Sequence, residues 1–416
     1  MFKNLKKEDL EITNIIQKEI ERQQNGLVMI PSENYASKAV LEAMGTPLSN
    51  KYAEGCPHKR YYTGNQFIDE IEDIAIDRAK KLFSAEHANV QPNAGSGANL
   101  AVYMATLKPG DTIMGLKLDQ GGHLTHGHKV NVSGILYNFI QYGVSKDTEL
   151  IDMDEVRELA LKEKPKMIVT GATAYPRVFN FEAFKKITDE IGAILFADIS
   201  HFVGLCISGD HPQPFPYADI VMSTTHKTLR GPRSAFILCK ESYAKAIDKA
   251  IFPGTQGGPM EHIIAAKAVC FKEAGTKKFI EYGHQIVKNA KALAQALMSE
   301  GLRLISGGTD NHLMLIDCVP LKITGRQGSE ALANCEIYTN RNTIPYDPGS
   351  AFEPSGIRLG TPALTTRGMK EKEMEIIGKA IACVLKNINN SDTLRNTQKL
   401  VKELTKEYPI YQELDF

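Results

Sequence analysis

Three short apolar runs, each closed by a polar cluster, limit what this chain can fold into more than any other feature. Residues 166–169 (KMIV) lead into Thr170-Gly171-Ala172-Thr173-Ala174-Tyr175. Residues 193–197 (AILFA) lead into Asp198-Ile199-Ser200-His201, and residues 218–222 into Ser223-Thr224-Thr225-His226-Lys227-Thr228. Apolar runs without alternation, separated by helical spacing such as that of 181–192, belong to strands covered on both faces of a mostly parallel sheet. A further strand is expected at 234–238, after Gly231-Pro232. Ligands of open parallel sheets sit beyond the carboxyl ends of the strands, so the three clusters are expected to converge on one ligand.

The flanking sequence organises around that sheet. Residues 69–83 have helical apolar spacing, residues 88–90 read as a strand, and the small-residue turn 93–99 leads into a helix ended by Pro109-Gly110. A long helix is expected over 277–297, followed by strands at 302–305 and 312–317 and helices at 369–387 and 393–407. The expected division is an N-terminal arm (1–16), a large domain (17–276) and a small α+β C-terminal domain (277–416). A chain of 416 residues is long enough for both cores.

Charge narrows the partners. Lys+Arg and Asp+Glu both number 49, so neither nucleic acid nor a membrane is an expected partner. The first 26 residues are charged throughout, and no apolar stretch approaches a membrane span, which points to the cytoplasm. Seven widely spaced cysteines without a CxxC motif read as reduced thiols. His123, His126 and His128 lack neighbouring Cys or Glu and have only Asp119 nearby, so no metal site is expected.

A lysine in the crevice of such a sheet, partly desolvated, can lose its proton and form a Schiff base with an aldehyde. Lys227 is placed for this, and pyridoxal phosphate is the aldehyde that fits. Its ring nitrogen needs an acidic partner, for which Asp198 stands at a strand end. Its phosphate needs backbone N–H groups at a helix start, which the Gly95-Ser96-Gly97 turn supplies. Taken singly, a strand-end lysine is more often a surface residue, the aspartate a helix cap and the turn an ordinary turn. Their order and combination favour the chemical reading. Thr224 and His226, from the cluster of Lys227, are assigned to catalysis and to cofactor binding.

At this point the chain resembles the serine hydroxymethyltransferase family over nearly its whole length. The resemblance rests on NKYAEG (50–55), KRYY (59–62), GGHLTHG (121–127), THKTLRGPR (225–233), QGGP (256–259) and SGGTDNHL (306–313). It implies an aspartate-aminotransferase-like fold and reversible transfer of the serine hydroxymethyl group to tetrahydrofolate, giving glycine and methylenetetrahydrofolate. It also implies that Lys227 carries the cofactor, Asp198 pairs with the pyridine nitrogen and His123 stacks on the ring. Thr173 and His201 would bond near the cofactor's 3′-oxygen or the substrate carboxylate. Gly95 and Ser96 would hold the phosphate with Tyr52 and Gly257 of a second subunit, making a homodimer the minimum active unit. Arg358 and Ser32 would hold the substrate carboxylate, Glu54 and Tyr62 would border its hydroxyl, and Arg233 would help control the charge of Lys227. Folate would lie near Leu118, Gly122, Leu124, Asn342 and Phe352.

Several positions depart from the family pattern. Ala94 stands where a serine is usual in the phosphate turn, Gly97 where a longer residue is usual, Thr173 where a serine is usual, and Ser234-Ala235 where two glycines are usual. Phe202 and Val203 are bulkier than usual, and His58 and Thr63 replace glycines. These departures leave open an enzyme of α-methylserine or a threonine-type aldolase. From another class, a non-catalytic scaffold or RNA-binding protein stays open, although Lys227, Asp198, His123, Glu54 and Arg358 are all present.

Overall fold

Seven strands form the central sheet: β1 (His87–Asn89), β2 (Thr112–Leu116), β3 (Asn138–Tyr142), β4 (Met167–Thr170), β5 (Ile194–Asp198), β6 (Ile220–Thr224) and β7 (Ala235–Cys239). The computed structural model describes residues 3–412. Residues 1–2 and 413–416, the extreme ends of the expected arm and C-terminal domain, lie outside the described residues. The strand order is β1-β7-β6-β5-β4-β2-β3. Strands β2 to β6 are mutually parallel, and β7 runs antiparallel to both β6 and β1. A mixed α/β chain with a mostly parallel sheet is what the unbroken apolar runs require.

The reason lies in the two faces of the sheet. Leu195 and Ala197 of β5 join one buried cluster with Ile168, Val221 and Phe236. Phe196 points the other way, into a second cluster with Val169, Met222, Ile237 and Tyr103. Every residue of β4, β6 and β7 is buried. Each large side chain buried in this way contributes about 1.5–3 kcal/mol relative to exposure.

Strands β2 and β3 were not expected from the sequence. β2 (TIMGL) carries a glycine, which weakens a strand pattern. Gly115 has its reason in packing, because a Cβ there would press on the backbone and Cβ of His126 at 3.3–3.4 Å. β3 is an edge strand with only Tyr142 fully buried, so its residues show no apolar run.

Two compact units emerge from the backbone contacts: Asn34–Val287, which contains the central sheet, and the residues up to Glu33 together with those from Lys288 onward. The division falls within the helix Lys277–Ser299. In the second unit β8 (Arg303–Leu304), β9 (Leu313–Asp317), β10 (Asn340–Asn342) and β11 (Gly356–Gly360) make an antiparallel sheet of order β8-β9-β11-β10. Leu27–Val28 pairs with Ile337–Tyr338. The Arg367 guanidinium donates to the carbonyls of Gln23, Gln24, Gly26, Thr405 and Tyr408, which ties the N-terminal segment to the last helix. Among the described residues, no helix is long and apolar enough to cross a membrane.

Candidate active site

The parallel strands β2, β4, β5 and β6 all end on one edge of the sheet, and the polar clusters stand there. The Lys227 segment is pinned to the segment after β5. The Thr224 amide donates to Ser200 Oγ (3.1 Å), Thr228 Oγ1 donates to the His201 carbonyl (3.1 Å), and the Gly204 amide donates to Thr228 Oγ1 (3.0 Å). Asn34 Nδ2 donates to the Lys227 carbonyl (2.9 Å) and to Tyr282 Oη (2.8 Å). Arg230 adopts a left-handed φ of 60°, and its guanidinium lies 3.9 Å from the centre of the Tyr282 ring. Lys227 is 9% exposed. Its neighbour His226 is pushed down to about 3 by burial and by the charges of Lys227 and Arg233, so its imidazole is neutral. Arg233 is itself exposed.

Asp198 ends β5 and is 7% exposed. Its Oδ2 accepts from Asn99 Nδ2 (3.0 Å) and lies 3.3 Å from His126 Nε2, while Oδ1 accepts from the Ser200 amide (3.1 Å). Asn99 Nδ2 also donates to Thr125 Oγ1 (2.8 Å), which contacts His123 Nδ1 at 2.7 Å. Burial pushes the Asp198 pKa up. The hydrogen bond and charge of His126, with the charge of His123, outweigh it and hold the carboxyl well below its usual range. Gly171, at φ +117°, passes so close that a Cβ would overlap the Asp198 carbonyl oxygen. The amides of Thr173 and Ala174 both donate to the Gly121 carbonyl (2.7 and 3.1 Å), which lays this loop against the one carrying Gly122, His123 and Leu124.

Because β7 and β1 run antiparallel to their neighbours, the helix Gly95–Thr106 starts at the same edge. A Cβ on Gly95 would lie 2.7 Å from the Thr224 methyl. The N-cap residue, Ala94, makes no side-chain cap, which leaves the first amides of the helix, those of Gly95 and Ser96 included, to another acceptor. Tyr52, Glu54, Tyr62 and Gly257 form a separate group. Tyr52 Oη donates to Glu54 Oε1 (3.4 Å), the Tyr52 and Tyr62 rings are 5.0 Å apart, and a Cβ on Gly257 would lie 3.3 Å from Glu54 Oε1.

In the second unit Arg358 sits mid-strand on β11 opposite Leu315 and Asn340, with Nε donating to Asn340 Oδ1 (3.1 Å). Burial pushes its pKa down to about 10, which still leaves it charged at neutral pH. The Met29 carbonyl accepts from the Gly360 amide (2.8 Å), and Pro31 packs on Gly360, so the segment leading into Ser32 lies against the end of β11. Asn342 ends β10, and Phe352 is 84% exposed on the following loop. Leu118 opens a short turn after β2, and Leu124 is exposed.

Two departures from the family pattern have structural reasons. Phe202 is buried and stacks on His211 (4.1 Å) and Phe179 (5.7 Å), so its bulk fills the core. Ser234 Oγ donates to the Pro92 carbonyl (2.9 Å) and secures the approach to the Gly95 turn. Asn99 and His126 were missed as partners of Asp198, and Thr125 as the group that links Asn99 to His123. The sequence signal was the second histidine of GGHLTHG, three residues after the first. Asn99 lies one helical turn beyond Gly95, on the face toward the sheet, where helical periodicity could have placed it.

An α/β protein with these groups on the carboxyl edge of its sheet is of the class that holds a small ligand there. The family model of serine hydroxymethyltransferase matches residues 5–381, and the chain belongs to that family. The family consists of pyridoxal-phosphate-dependent transferases that use tetrahydrofolate.

Proposed function

We propose that this protein is a pyridoxal-phosphate-dependent serine hydroxymethyltransferase with the aspartate-aminotransferase-like fold, active in the cytoplasm as a homodimer or larger assembly. The observation that carries the reading is Asp198, a buried carboxylate held ionised by His126 and His123 and accepting from Asn99, on the same sheet edge as Lys227. The residues fit the cofactor: an anion for a protonated pyridine nitrogen, a lysine on an anchored loop, and a helix start without a side-chain cap. Buried atoms without a protein partner, Asn99 Oδ1 and His226 Nδ1, lie in the same segments.

Lys227 would hold the cofactor, Asp198 its ring nitrogen, and Gly95 and Ser96 its phosphate. When bound, the cofactor supplies an electron sink for breaking the serine Cα–Cβ bond. Arg358 grips the substrate carboxylate through its planar fork, with Ser32 beside it. Glu54 takes and returns the proton of the substrate hydroxyl oxygen. Tyr52, Glu54, Tyr62 and Gly257 act across the homodimer. Tyr52, Tyr61, Tyr62 and Phe67, all exposed on one segment, supply apolar surface for a second copy. Leu118, Gly122, Leu124, Asn342 and Phe352 border tetrahydrofolate.

The test is direct. The purified protein should take up pyridoxal phosphate with visible absorbance and convert serine and tetrahydrofolate to glycine. Turnover of α-methylserine but not serine, or of allo-threonine with no folate-dependent step, would replace this reading with one of its relatives. A protein with Lys227 intact that takes up no cofactor would refute it.

A further inference from the structure

Arg60 has a side chain only 3% exposed, and its guanidinium donates in four directions. Nε donates to Asp69 Oδ1 (2.9 Å) and Nη2 to Glu72 Oε2 (2.6 Å). Nη1 donates to the carbonyls of Ala53 (2.9 Å) and Gly55 (2.6 Å). Those two carbonyls flank Glu54, whose own carbonyl accepts from the Tyr61 amide (3.0 Å).

The clamp has a second jaw. Gln91 Nε2 donates to the same Gly55 carbonyl (3.0 Å) and to Glu72 Oε1 (2.8 Å). Gly55 sits at φ +104°, where a Cβ would overlap the Lys59 carbonyl, so the backbone turns sharply just past Glu54. Asp69 and Glu72 lie on the buried face of the helix Gln66–Phe83, which packs on the helix Glu261–Ala274. A buried ion pair of this kind gains little net stability, because desolvation offsets the attraction. Its fixed geometry is what it contributes.

We propose that Arg60 is a positioning residue for Glu54: its buried fork, anchored on Asp69 and Glu72, fixes the carbonyls of Ala53 and Gly55, the residues before and after Glu54, and thereby the position of its carboxylate. The proposal rests on the reading of Glu54 as the group that handles the proton at the substrate hydroxyl. A lysine cannot substitute, because three donors at one nitrogen cannot reach two carboxylates and two carbonyls spread around a planar fork.

The test is Arg60→Lys, which keeps the charge and removes the fork, studied on the cofactor-loaded protein. Hydrogen exchange of the segment 52–62 should accelerate, the Tyr61 amide above all. Exchange matching the unmodified protein would overturn the proposal, whatever the enzyme does with serine. In turnover, Arg60→Lys should lower kcat on the order of 10²-fold, with KM for serine changed less than about threefold. In a Glu54→Gln background the same substitution should cost less than about threefold, because both changes disable one group. Full additive losses would overturn the positioning role. Should Arg60→Lys fail to fold, Asp69→Asn preserves the shape of the Nε contact and must show the same loss of additivity with Glu54→Gln. A protein with no serine turnover at all would fail the function reading, and the exchange comparison would still decide the role of Arg60.

Discussion

His126 Nε2 lies 3.3 Å from Asp198 Oδ2, and this contact governs the charge at the end of β5. Burial alone would favour the neutral acid, but the hydrogen bond and charge of His126, aided by His123, hold the carboxylate ionised. Asp198 should therefore contribute no inflection to a pH–rate profile between about pH 5 and 9. Asp198→Asn keeps the shape and loses the charge. It should lower turnover on the order of 10²–10³-fold, in line with the loss of one preorganised electrostatic partner. Stopped assays with a cofactor titration will separate lost affinity from lost rate.

Gly171 makes a second demand on Asp198. Its φ of +117° disfavours any side chain, and a Cβ would overlap the Asp198 carbonyl oxygen. Gly171→Ala combines backbone strain with a clash and should cost about 2–5 kcal/mol. Cofactor affinity should fall as well, because β5 must shift its last residue to make room. Urea denaturation with and without added pyridoxal phosphate measures both effects. A variant as stable as the parent would show that the close approach is unimportant.

Much of this arrangement was legible in the sequence. β4 to β7 could be read because burial on both faces leaves unbroken apolar runs, and Asp198 and Lys227 could be located because one ends such a run and the other lies in the polar cluster just beyond one. The rest was hidden for physical reasons. β2 was masked by Gly115, which is present to admit His126, and edge strand β3 has no buried run to display. The clamp of Arg60, Asp69, Glu72 and Gln91 joins residues up to 31 positions apart through side chains on a hairpin, a helix and a strand end. No local spacing reports such a contact. The anchoring of the N-terminal segment by Arg367 is hidden for the same reason, since its acceptors are backbone carbonyls that any residue supplies.

Two substitutions separate loading from turnover. Lys227→Ala should abolish turnover of serine, because no other lysine stands on the loop after β6. Glu54→Gln should leave cofactor uptake intact and lower folate-dependent turnover by about 10²–10⁴-fold, the range for a lost acid–base group. Absorbance spectra follow the first property and a coupled folate assay the second. An unchanged folate-dependent rate in Glu54→Gln would remove Glu54 from proton handling.

Glu261 offers a test through stability. It is 1% exposed, and neither carboxylate oxygen has a hydrogen-bond partner. Burial, reinforced by the charge of Glu72, pushes its pKa up to about 8. The folded protein thus keeps a proton that the unfolded chain releases near pH 4.5, the ordinary value for glutamate. Where the folded state binds more protons, stability falls as pH rises. The cost of Glu261 should therefore grow from about pH 4.5 to about pH 8 and then level off, reaching on the order of 2–4 kcal/mol near neutrality. Lys267, which burial pushes down to about 7, has the opposite slope between that pH and its ordinary 10.5, so the comparison belongs at or below about pH 7.5. Glu261→Gln mimics the neutral acid and should be more stable than the parent at about pH 7.5, with the gain shrinking toward pH 5. Urea midpoints of the two proteins at both pH values settle it. Equal midpoints at about pH 7.5 would mean that Glu261 finds a partner for its charge.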